Sequence, residues 1–205
     1  MNLRVFWRIF FCLFVLGAPP VWAQKSLRVE RVIDGDTVKL SNGEHIRLVG
    51  IDTPESSKNA KALRDSQKTQ QDINSIIRMG KEAKQFLKGL VEGKEVELKY
   101  DVQKRDRYGR LLAYVFVGIP VHSGIDVQDG VVTHPDKVKL SVLNSIPNKE
   151  KDKVVLVNLN AYIIQSGYAS PMTVPPNVKY AQLFQKLFSQ ARQNKRGLWA
   201  REWVQ

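Results

Sequence analysis

Apolar and polar positions begin to alternate at Leu27. Leu27-Arg-Val-Glu-Arg-Val-Ile-Asp34 is rich in β-branched residues, and its near two-residue period predicts a half-buried strand. Asp36-Thr-Val-Lys-Leu40 predicts a second strand. Ser41-Asn-Gly43 joins it to a third over Glu44 to Ile51, because Asn-Gly adopts positive φ cheaply and favours a tight hairpin. Three short strands joined this closely predict an antiparallel meander. Lys58 to Val91 is charged and largely helical in pattern, with Ile76, Ile77, Ala83, Phe86, Leu87 and Leu90 at helical spacing and Gly93 as the stop. Lys94 to Tyr100 alternates as a fourth strand, and Arg110 to Phe116 is expected to be a fifth, across a polar basic loop.

The pattern then loses its period. Residues 117 to about 153 are punctuated by Gly, Pro and Asp-Gly, which predicts one or two hairpins or an irregular excursion. Val154 to Gln165 is apolar enough for a short buried helix. A last helix is expected over Lys179 to Gln193, with Tyr180, Leu183, Phe184, Leu187 and Ala191 on one face. Five strands with about three helices at particular joints predict an α+β, mainly β, fold: a five-stranded Greek-key barrel of the OB type.

The first 23 residues stand apart. Arg4 and Arg8 precede an apolar run from Ile9 to Ala18 that is too short to span a bilayer. Pro19 and Pro20 break the run, and Val21-Trp-Ala23 supplies a cleavage pattern. Residues 1–23 are therefore expected to be a signal peptide cut at Ala23–Gln24, and residues 24–205 one domain. The mature protein is expected to be periplasmic or secreted, monomeric, and without stable membrane association. Cys12, the only cysteine, lies inside the leader, so thiolate chemistry is excluded from the mature chain.

Charge narrows the partners. Thirty-two Lys and Arg against 20 Asp and Glu give a formal net charge of +12 in 205 residues. Such a field attracts polyanions, whether nucleic acid, acidic polysaccharide or an anionic membrane surface. The three histidines, His45, His122 and His134, are scattered, which disfavours a histidine-based nuclease or a Ser-His-Asp hydrolase. The carboxylates are more informative. Asp34 and Asp36 flank Gly35 at a tight corner, while Asp52 and Glu55 lie at the end of the third strand. If the second and third strands pair, the two corners meet at one end of the barrel. Clustered carboxylates call for a cation, and an all-oxygen set favours Ca²⁺ or Mg²⁺. Arg47, in an apolar strand, and Arg110, at the start of the fifth, have the fork geometry that suits phosphate.

These pieces, in this order and spacing, resemble the staphylococcal nuclease (thermonuclease) family from about Leu27 to Trp199. The matching segments are Ile33 to Leu40, Arg47 to Glu55, Asp106 to Tyr114, Val157-Asn158 with Gly167, and Gly197-Leu-Trp199. The resemblance implies Ca²⁺-dependent hydrolysis of DNA and RNA. By position it implies Asp36 and Asp52 as carboxylate ligands, Thr53 as a main-chain ligand, and Asp34 just outside the first shell. Glu55 would hold the attacking water, Arg47 and Arg110 would grip the phosphate, and Tyr108 would contact nucleotide. The chain departs from the pattern in a longer segment after Glu55, an insertion at about 118–153, and Thr173 where a second nucleotide-contacting tyrosine is expected. Two other functions remain open: a non-catalytic OB module that binds nucleic acid, and a basic protein that binds anionic envelope polymers or lipids.

Overall fold

The computed structural model describes residues 27–120, 125–138 and 153–200. The leader expected at 1–23 lies outside these residues, as does much of the insertion. The first three strands are β1 (Leu27–Asp34), β2 (Thr37–Leu40) and β3 (His45–Leu48). They pair antiparallel in sequence order, with Val32 opposite Val38 and Thr37 opposite Arg47. β5 (Glu95–Lys99) pairs with β1, and β6 (Leu111–Pro120) pairs with β5. A parallel pairing of β3 with β6, Arg47 opposite Leu112, closes the five strands into a barrel.

Alternation explains which way the strands face. Ile46 and Leu48 of β3 are buried in the barrel, while Arg47 between them points to the opposite side. Val29, Val32, Val38 and Leu40 fill the same interior from β1 and β2. Burying one such side chain contributes about 1.5–3 kcal/mol, so a one-residue slip, which turns every one of them outward, is heavily disfavoured.

The third strand is shorter than its pattern predicts. Gly50 has φ +80 and bends the chain, so Ile51–Asp52 forms a separate strand, β4, paired with β10 (Ser170–Pro171). The ring of Phe184 packs where a Gly50 Cβ would lie, at 2.6 Å. That bend aims Asp52 at the barrel rim.

Among the described residues there are four α-helices, against an expectation of about three. The helical stretch after Glu55 divides into α1 (Ala60–Thr69) and α2 (Ile73–Val91), because Gln70 takes a left-handed conformation and Asp72 caps a new helix through Ser75 N. Buried Ile76, Met79, Ala83, Leu87 and Leu90 give α2 its inner face. The apolar stretch 154–165 is not all helix. Val154–Asn158 is a strand, β9, on the outer edge of β6, and α3 (Leu159–Gln165) starts only after Asn158 caps it through Ala161 N. Within the insertion β6 continues to Pro120, and a small hairpin pairs β7 (Val127–Gln128) with β8 (Val131–Val132). The last helix, α4 (Ala181–Gln193), buries Phe184, Leu187 and Ala191.

One buried polar residue ties these parts together at the rim. Asn160 of α3 is 0% exposed. Its Nδ2 donates to Val49 O at 2.8 Å, and its Oδ1 accepts from Val115 N at 3.0 Å. It thus pins the turn leading to Asp52 against β6.

Candidate active site

The two carboxylate corners do meet. Asp36 lies in the β1–β2 turn and Asp52 in β4, and the guanidinium of Arg47 bridges them, with Nη1 3.0 Å from Asp36 Oδ2 and Nη2 3.1 Å from Asp52 Oδ1. Thr53 closes the corner from the other side. Its N–H and hydroxyl both reach Asp36 Oδ2, at 3.3 and 3.2 Å. Asp34, Asp36, Arg47, Asp52, Glu55 and Arg110 all line one open cleft of about 440 Å³. Arg47 is buried to 11% side-chain exposure, and its carboxylate partners offset a desolvation cost of several kcal/mol.

Glu55 is positioned from three directions. Pro54 leads into it, Asn59 Nδ2 donates to its Oε2 at 2.6 Å, and Lys61 Nζ lies 2.9 Å from its Oε1. Asn59 also caps α1 through Ala62 N, so the start of that helix and the carboxylate share one anchor. Behind Glu55 stands Gly80 of α2. A Cβ there would lie 2.2 Å from both C and O of Glu55. Only a glycine lets the helix back directly onto this part of the main chain.

The electrostatics separate the carboxylates. Burial raises Asp34 above the ordinary aspartate range, and repulsion from Glu55 and Asp36 adds to it. Burial also leaves Asp52 raised, because attraction to Lys61 and Arg47 only partly offsets it. Glu55 goes the other way. Burial pushes it up, but hydrogen bonds from Lys61 and Asn59 outweigh that and hold it below its usual value. Glu55 is therefore ionised at neutral pH and able to accept a proton.

Arg110 enters the cleft from the loop before β6. Asp106 holds it through Nε at 2.7 Å and accepts the N–H groups of Tyr108 and Arg110. Those same contacts pull Asp106 below its usual range against the upward push of burial. Tyr108 is 68% exposed and lies outside this cleft, on a neighbouring hollow of about 480 Å³ that shares Arg47 and Arg110. Leu48, Met172 and Val174 give that hollow apolar walls.

The donor set can be tested for a metal on its own chemistry. Among the described residues no group of three or more His, Cys, Asp or Glu side chains is arranged to hold a metal ion. The oxygens of Asp36, Asp52 and the Thr53 carbonyl nevertheless converge on positive groups. Arg47 bridges the two carboxylates, and Lys61 Nζ donates to Thr53 O at 2.8 Å beside Asp52. Two carboxylates and a carbonyl, completed by water, suit a hard cation such as Ca²⁺. The set fits.

Several participants escape sequence reasoning. Lys61, Asn59, Asp106 and Gly80 all contact proposed site residues, and His45 lines the cleft rim. Asn59 carries a local signal, since Asn directly before a helical run is a cap. Lys61 carries none, because it reads as one more lysine of a solvated helix.

The barrel and its rim define an OB-fold protein with one open cleft lined by carboxylates and guanidinium groups. Residues 45–201 match the family described as staphylococcal nuclease homologue, and the chain belongs to that family of nucleases. β1, which ends in Asp34, the turn that carries Asp36, and β2 all precede the matched range. The chain is 28% identical to the thermonuclease of Staphylococcus hyicus over 181 residues, 86% of this chain and 77% of that protein. It is 33% identical to the thermonuclease of Staphylococcus intermedius over 136 residues, 63% of this chain and 73% of that one. It is also 28% identical to the SPbeta prophage-derived endonuclease YokF of Bacillus subtilis over 178 residues, 84% of this chain and 43% of that one.

Proposed function

We propose that this protein is a calcium-dependent nuclease that hydrolyses DNA and RNA with little sequence preference. The observation that carries the reading is the gathering of Asp36, Asp52, Glu55, Arg47 and Arg110 around one cleft. Asp36, Asp52 and the Thr53 carbonyl would hold the metal, with Asp34 behind them. Bound calcium would supply positive charge at the phosphate oxygens. Glu55, ionised and held by Asn59, orients a water molecule and takes its proton as the water attacks phosphorus. Arg47 and Arg110 neutralise the charge that builds on the phosphate as the 5′-oxygen leaves. A guanidinium has five donors, so Arg47 can bridge its carboxylates and still offer a hydrogen bond to substrate.

The neighbouring hollow fits the nucleotide next to the scissile bond. Tyr108 offers an aromatic face at its mouth, and stacking on an aromatic ring tolerates any base. The surface excess of Lys and Arg gathers the backbone without regard to sequence. The leader, the periplasmic or secreted location and the monomeric state belong to the same proposal, and finding Gln24 at the N-terminus of exported protein tests the first.

Purified protein incubated with DNA or RNA, in calcium and in chelator, tests the function. Calcium-dependent cleavage of both is expected. Tight binding with no turnover under any divalent cation would instead favour the non-catalytic module.

A further inference from the structure

The ammonium of Lys61, in the first turn of α1, rests on three oxygens: Thr53 O at 2.8 Å, Glu55 Oε1 at 2.9 Å and Asp52 Oδ1 at 3.1 Å. An ammonium has three donors, and three acceptors are present. Two of those acceptors belong to the set assigned above to calcium, and the third belongs to the carboxylate assigned to water activation. The side chain is only 28% exposed, so this is a seated cation rather than a surface lysine passing by. A metal ion coordinating Asp52 and Thr53 would need oxygen lone pairs that Lys61 already uses, and it would repel a positive charge in contact with them.

We propose that Lys61 is an internal competitor for the metal and a latch on Glu55. The inference rests on the calcium reading above. Its ammonium holds the ligand oxygens together, and metal binding requires it to leave Asp52 and the Thr53 carbonyl. Leaving also loosens the hold on Glu55 Oε1, so the carboxylate becomes free for water when the metal arrives. Metal binding and arming of the base are then one event, with Asn59 keeping Glu55 in place throughout.

Calcium affinity of the purified protein, measured by titration calorimetry, reads this without any activity assay. Repulsion between a unit charge and a divalent ion at about 4 Å corresponds to a factor of roughly 30 even in bulk water. Lys61→Gln and Lys61→Met should therefore bind calcium at least about tenfold more tightly than wild type. Lys186→Gln, an equal loss of charge at an exposed position of α4, should not. Equal or weaker binding by both Lys61 variants when wild type binds calcium overturns this inference alone, as does equal tightening by Lys186→Gln. Tight binding by a Lys61 variant when wild type binds none supports it. Calcium binding by none of the proteins overturns the calcium reading, and this inference with it. Wild-type protein gives a reading that needs no folded variant. The ¹⁵Nζ resonance of Lys61 should shift on calcium saturation, and an unmoved resonance refutes displacement.

Discussion

Gly80→Ala probes how the fold places its acid-base group. Gly80 is in the interior of α2, where alanine is favoured over glycine by about 1 kcal/mol through helix propensity. The new Cβ, however, would lie 2.2 Å from Glu55 C and O and 2.6 Å from Ser56 N. Ordinary contact begins near 3.4 Å, so the Glu55 main chain must retreat by about 1.2 Å, or α2 must shift by as much. A 1 Å misplacement of a group that orients a reactant costs on the order of 10²-fold in rate. The expected result is a kcat about 10²-fold below wild type with KM changed far less, because Arg47, Arg110 and Tyr108 are untouched. Steady-state cleavage of a short single-stranded DNA, beside a thermal melt, separates this from unfolding. A folded variant whose kcat lies within threefold of wild type would refute the claim that α2 positions Glu55.

Two further substitutions test the rim. Asn160→Ala strips partners from the buried Val49 O and Val115 N, which should cost about 2–4 kcal/mol in urea unfolding; a loss under about 1 kcal/mol contradicts its role as the pin of the Asp52 turn. Asp34→Asn should stabilise. A carboxyl whose folded pKa is raised costs stability above that pKa and nothing below its unfolded value, where both states hold the proton. The gain should reach at most about 1 kcal/mol at pH 7, since the site is partly solvated, or roughly 2–4 °C in Tm. It should fade as pH falls through the raised pKa, and a lower Tm at pH 7 would refute the burial argument.

The parts of the fold that were legible in the sequence are those written in a local period. Strands β1 and β5 follow from alternation, β2 and β6 from short runs rich in apolar residues, and the meander from Asn42-Gly43. Val154 to Gln165 misleads because a continuous apolar run suits a buried strand and a buried helix equally well. Asn158, a cap in the middle of that run, marks the change. The break between α1 and α2 had a similar signal in Asp72. In the site, Asp36, Asp52, Glu55, Arg47 and Arg110 could be picked out because each is a charge at a strand end or in an apolar strand. Lys61 and Asp106 could not, because their roles come from contacts made only once the chain has folded. Gly80 stands between these cases: a glycine inside an otherwise regular helix signals a close approach, but not to what.

The role proposed for Glu55 is a chemical one, in a calcium-dependent site. Glu55→Gln keeps the shape of the side chain and removes its charge. Its kcat on a short DNA strand in saturating calcium should fall by at least roughly 10²-fold, the usual scale for a lost general base, with little change in KM. Wild type in chelator should be inactive. Equal turnover by wild type and Glu55→Gln in calcium would contradict the account.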